Sequence, residues 1–232
     1  MMLLKVNRSF KCGLLITIVK ELSPKKMTGW PPLLIQFQCI FWLLERKHYR
    51  FIMAARNIRS GFAMEILQAI KTRRSIRKYQ DKAIPAEVIK DILEAAMFAP
   101  SAGNEQPWQF VILEERNLLD AVPSICPTAS MCRHSPAAIL VCSDSTLEKY
   151  PDFWVQDCSA AVENMLLAAH ALGVGAVWAG IYPLKERIEG FKKLLSLPEE
   201  ITPFALVTLG YPDEQPALPQ RYRKDRVHYN GW

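Results

Sequence analysis

What the chain lacks narrows its class before what it contains. None of its 232 residues falls in an uninterrupted apolar run of 18 or more, so no membrane-spanning helix is expected. Cys12, Cys39, Cys126, Cys132, Cys142 and Cys158 include no CxxC pair. Cys126, Cys132 and His134 lie close in sequence but match no zinc spacing, and no second pair follows, so no metal site is assigned. Cys142 and Cys158 sit in apolar runs and read as small core residues, and reduced thiols suit a cytoplasmic protein. Glycine is sparse at 10 residues, and no internal repeat is visible. With 50% hydrophobic and 22% charged residues, collagen-like, low-complexity and wholly disordered chains are excluded. No nucleophile triad or acid–base dyad stands out.

The net charge of +6 suggests nucleic acid only until it is divided by region. Residues 1–60 hold 11 Lys and Arg against 2 Asp and Glu, a net of +9, whereas residues 61–232 hold 18 against 21, a net of −3. A body of mildly acidic balance gives no nucleic-acid footprint.

The first sixty residues differ from the rest. The apolar run Leu14–Val19 is too short for a signal-peptide core, and no small-residue cleavage site follows it. Trp30–Leu44 is interrupted by Pro31, Pro32, Gln36 and Gln38. The stretch reads as a basic N-terminal extension, from a mis-set start or a poorly ordered segment, with no membrane contact expected of it. Met64 opens the clean helical pattern that begins the domain at 64–232.

From Met64 onward, helix and strand signals alternate. The spacing of Ile66, Leu67 and Ile70 predicts a helix over 64–72. Pro85–Phe98 begins with Pro at its first helical position and carries Val88, Ile89, Ile92, Leu93 and Ala96 on one stripe until Pro100 stops it. Strands are predicted at Gln109–Leu113, Ala137–Cys142, Val174–Ala179 and Phe204–Gly210. A long helix is expected over 153–172, burying Val155, Cys158, Ala161, Val162, Met165, Leu166 and Ala169, and a further helix over 184–195. The pattern is that of an α+β body with helices packed on a central sheet.

Four clusters could carry chemistry. Arg73-Arg74-Ser75-Ile76-Arg77 gathers three guanidinium groups and a hydroxyl, suited to a dianion; the alternative is a solvated basic patch at a helix end. Pro100-Ser101-Ala102-Gly103-Asn104-Glu105-Gln106-Pro107-Trp108 forms a stiff loop able to hydrogen-bond a flat heteroaromatic edge, or simply a turn. At Ala179-Gly180-Ile181, a glycine at the end of a buried strand lets a ligand approach the backbone, or only permits a turn before Pro183. The tail residues Arg221 and Arg223 are cationic, or belong to a charged terminus.

In order and spacing these clusters resemble the nitroreductase family over about the last 170 residues. That resemblance implies a homodimer built around a central mixed sheet flanked by helices, with FMN at the subunit interface and NADH or NADPH as co-substrate. It places Arg73, Arg74 and Ser75 at the flavin phosphate and ribityl chain, with Arg221 and Arg223 from the tail. It places Arg77 near flavin N1, and Pro100, Ser101 and Asn104 on the other subunit's flavin. The Gly180 N–H falls near N5, beside Ala179 and Ile181. Larger relatives carry an acidic residue where this chain has Ala179. The activity implied is hydride transfer from NAD(P)H through FMN to a small acceptor such as a nitroaromatic or quinone, with ping-pong kinetics and the flavin carrying the chemistry. The alternatives are an FMN-binding storage or regulatory protein without turnover, a flavin-dependent dehalogenase on the same fold, and a membrane-surface protein acting through residues 1–60.

Overall fold

The computed structural model describes residues 64–232. The readings of residues 1–60, including Cys12, Cys39 and the runs Leu14–Val19 and Trp30–Leu44, lie outside the described residues. Helix α1 spans Ile66–Thr72 and α2 spans Ala86–Met97. Strand β1 (Trp108–Leu113) is followed by α3 (Arg116–Ile125), β2 (Ala137–Asp144), α4 (Trp154–Ala171), β3 (Gly175–Gly180), α5 (Lys185–Leu195) and β4 (Ile201–Gly210). Among the described residues, no helix is long and apolar enough to cross a membrane.

The sheet has the order β1-β2-β4-β3, and its three pairings are all antiparallel. Among the described residues, parallel pairing is confined to one bridge, Ser75 beside Ala176. The expected mixed character therefore rests on that bridge. Central strands β2 and β4 are buried on both faces, as their continuous apolar runs require. One face packs Ile139, Val141, Val207 and Leu209 against α2 and α4. The other packs Leu140, Cys142 and Leu206 against α3 and α5. Ile92 of α2 is wholly buried, a burial that contributes about 1.5–3 kcal/mol.

Two departures from the sequence reading bear on the site. Pro85 caps α2 from outside, so the helix starts one residue later than expected. In α4 the buried stripe holds Asp157 while Val155 is only half-buried. An acid takes that place because its Oδ1 accepts a hydrogen bond from the Ala102 N–H at 3.0 Å. The chain leaves α4 through a Schellman motif: Val174 N–H bonds Ala169 O, Gly173 N–H bonds His170 O, and Gly173 takes φ 75°. This turn delivers Gly175 to the start of β3. A Cβ on Gly175 would meet Ile76 Cγ2 at 2.7 Å, so only glycine lets the 73–77 segment lie so close to the strand.

Candidate functional site

Past α1 the chain extends along β3, with Ile76 N–H bonding Ala176 O at 3.0 Å. Arg73, Arg74, His170 and Glu214 border a cavity of about 360 Å³ here. Arg73 Nε lies 3.5 Å from Glu163 Oε1, yet it is buried and makes no hydrogen bond. Arg74 is held by its own backbone surroundings: Nε donates to Ala217 O and Nη1 to Lys71 O, both at 3.1 Å, and Nη1 also to Arg73 O. His170 Nε2 lies 2.8 Å from Thr72 Oγ1. Burial, and then the charges of Arg73 and Arg74, hold His170 below the usual histidine range. Arg77 is exposed, and its N–H and that of Lys78 donate to Glu214 Oε1.

At the far end of β3, the register turns Gly180 outward. Ile181 N–H bonds Phe204 O, so the neighbouring Gly180–Ala205 pair directs the Gly180 N–H and carbonyl away from β4, toward the open sheet edge. Ala179 and Ile181 are buried, their side chains in the core facing α5; they can meet a ligand only through their backbone. Gly180 has no left-handed φ, and among the described residues a Cβ there would meet nothing within 4 Å. Neither backbone conformation nor internal packing requires glycine at this position. Trp178 lies on the same strand face, 5.6 Å from Phe204, and Trp154 meets both Phe204 and Tyr182 edge-on, at 6.0 and 4.7 Å.

The Pro100–Trp108 loop is tightly organised. Ser101 Oγ accepts from the Gln106 N–H, and Asn104 Oδ1 from Gln106 Nε2, each at 3.0 Å. Gly103, Asn104 and Gln106 take φ of 50°, 57° and 52°, a left-handed set whose costliest member is Gln106. Glu105, buried, accepts from the N–H groups of Lys149 and Tyr150 at 2.6 and 3.0 Å. Burial works to raise Glu105, but those two donors and Asp157 outweigh it and hold the carboxyl below its ordinary range. Burial first, and then the adjoining Glu105, push Asp157 above its ordinary range.

Sequence clusters one and three thus share the β3 edge, at Ala176 and Gly180. Among the described residues no hydrogen bond joins the loop to either of them. Gly180 aligns with Ala205, Val141 and Phe110 across the sheet, which puts the loop's strand three spacings away, about 14 Å. In the tail, Arg223 is engaged with Asp225 at 2.9 and 3.0 Å, and Arg221 is exposed. Cys126 and Cys132 are buried free thiols and His134 is exposed. Burial first raises the Cys132 thiol to about 12.

The family model described as nitroreductase family matches residues 70–130 and 126–211. The chain belongs to the nitroreductase family. A Methanothermobacter thermautotrophicus protein with the provisional name NADH dehydrogenase/NAD(P)H nitroreductase is 53% identical over 169 residues, 73% of this chain and 88% of that protein. A solved structure from Parabacteroides distasonis under the same provisional name is 39% identical with TM-score 0.69, covering 72% of this chain and 98% of that one. A nitroreductase from Desulfovibrio desulfuricans solved with FMN is 32% identical with TM-score 0.63, covering 74% and 99%.

The residues of this nitroreductase fit a flavin mononucleotide on two counts. The buried, unbonded Arg73 Nε is a donor that an anion would satisfy, and the space over Gly180 is left open by the protein's own packing. Sequence reasoning missed Glu105, Asp157, Glu214 and Arg187. Asp157 alone left a signal, as an acid flanked by the apolar stripe of α4.

Proposed function

We propose that this nitroreductase oxidises NADH or NADPH and delivers the electrons through FMN to a small acceptor, a nitroaromatic or quinone. The single observation that carries the reading is Gly180, an outward-facing peptide at an open strand edge where nothing in the chain demands glycine. It stands on the same edge as the arginine cluster. Bound FMN supplies the hydride chemistry. Arg73 and Arg74 offer the charge that a phosphate dianion needs, and Ser75 adds a hydroxyl. Arg77, exposed and cationic, favours added negative charge on the ring, and the Gly180 N–H offers a donor to its edge. The aromatic group of Trp154, Trp178, Phe204 and Tyr182 beside Gly180 suits flat substrates that occupy the site in turn, which makes the kinetics ping-pong.

The reading includes a homodimer, in which Pro100, Ser101 and Asn104 complete the partner's site. Support comes from the distance between loop and Gly180 within one chain, and from large apolar side chains left in water: Ile66 at 72%, Phe98 at 79%, Tyr222 at 80% and Trp232 fully exposed. Arg221 and Arg223, on the same exposed tail, add cationic charge for the phosphate in this reading. The test is direct: the chain is mixed with FMN, passed through gel filtration with light scattering, and treated with NADH under argon. A yellow dimer whose flavin absorbance bleaches is expected. A colourless chain, or one whose bound flavin ignores both NADH and NADPH, overturns the reading.

A further inference from the structure

Arg187 breaks a local rule. It lies in the first turn of α5, where the helix dipole disfavours a cation. Among the described residues no carboxylate forms an ion pair with it. Its Nη1 instead reaches back past the Pro183 turn to donate to the Gly180 carbonyl, and lies 3.3 Å from Thr128 Oγ1. A helix former without charge would serve α5 better, so the cation answers to Gly180 and not to its own helix.

We propose that Arg187 is a positioning residue for the flavin site, fixing the outward carbonyl of Gly180 and holding an uncompensated positive charge at that strand edge. This rests on the function proposed above. The Gly180 carbonyl and N–H both face the open edge but belong to successive peptide planes, so the clamp on the carbonyl, with Ile181 N–H on Phe204 O, fixes how the chain leaves the residue whose N–H meets the ligand. Hydride transfer brings two electrons and one proton from the nicotinamide to the flavin, leaving the nicotinamide oxidised and the flavin ring more negative by up to one charge. A guanidinium on the same residue's carbonyl favours the reduced side of that balance. Partial solvent exposure weakens this attraction without abolishing it.

The experiment compares the full chain with Arg187→Gln and Arg187→Lys, each loaded with FMN. Midpoint potential, affinity for oxidised FMN and melting temperature are measured. Arg187→Gln should weaken binding of reduced relative to oxidised FMN about three- to tenfold, lowering the midpoint by about 15–30 mV for a two-electron couple. Arg187→Lys, which retains charge, should recover at least half of that loss. An unchanged midpoint in Arg187→Gln, with a lowered melting temperature, means a merely structural role and overturns the inference, as does a Lys variant that behaves like Gln. Arg187→Met is the neutral variant to use if Gln does not fold. A parent chain that takes up no FMN overturns the proposed function itself, and this inference with it; a shift that fails in a flavin-loaded chain overturns the inference alone.

Discussion

Asp157 of α4 accepts a hydrogen bond from the Ala102 N–H at 3.0 Å, joining the long helix to a loop 55 residues earlier in the chain. Glu105, in the same loop, binds the N–H groups of Lys149 and Tyr150 through Oε2. Two acids therefore hold the loop that carries Ser101 and Asn104.

This pair sets a pH dependence of stability. Asp157 titrates above its ordinary value in the fold, so its stabilising contribution is complete below the ordinary aspartate range and is lost as pH rises through the folded value. Glu105 works the other way, contributing above its ordinary range and losing that contribution as pH falls. Asp157→Asn mimics the protonated acid and should leave stability at pH 8 unchanged or raised by about 0.5–1.5 kcal/mol, the size of one neutral hydrogen bond. Glu105→Ala strips two N–H groups of a charged acceptor and should cost about 1.5–3 kcal/mol. Urea unfolding at pH 5, 7 and 8 measures both; a destabilised Asn variant at pH 8 contradicts the raised titration of Asp157.

Gly180→Ala separates fold from site. A Cβ there meets nothing, and replacing glycine where the backbone allows it stabilises by about 0.4–1 kcal/mol. The added methyl intrudes on a ligand seated against the strand, and overpacking of about 1–3 kcal/mol corresponds to about a 5- to 150-fold loss of FMN affinity. Melting curves and flavin titration should move in opposite directions.

The side chain of Arg77 is free in solvent while its backbone is fixed by Glu214. A charged hydrogen bond of about 1.5–3 kcal/mol equals about 30–60 mV for two electrons, so Arg77→Ala should lower the midpoint of bound FMN by up to that amount. If Arg77 serves only the phosphate, spectroelectrochemistry will show the same midpoint with weaker retention.

A chain beginning at Met64 should retain FMN uptake and NAD(P)H oxidation, because every residue of the proposed site lies after it. Loss of both activities in a shortened chain with an intact circular-dichroism spectrum would make the first sixty residues part of the site.

Much of the sheet was legible because β2 and β4 are buried on both faces and carry the apolar runs Ala137–Cys142 and Phe204–Val207. Helix α4 was legible from its stripe. Helix α3 was not, since Pro123 stands inside it, although Leu118, Leu119, Val122 and Ile125 recur at helical spacing. At the site, Arg73–Arg77 and Gly180 announced themselves by residue type. Glu105, Asp157 and Arg187 did not, because each acts on backbone groups that only tertiary folding brings near: Lys149 and Tyr150, Ala102, and Gly180. Local spacing carries no record of such partners.

The contact between Ile76 and Gly175 has a kinetic meaning. With no room for even one methyl between them, the arginine segment cannot lift from β3 without opening the sheet edge. The Ile76 amide should exchange with solvent deuterium as slowly as the strand it borders. The cationic end of the site is thus ordered before any ligand arrives, and the entropy of arranging it is spent during folding. Capture of a phosphate-bearing ligand then proceeds at a rate set by diffusion and charge, and should slow as ionic strength rises.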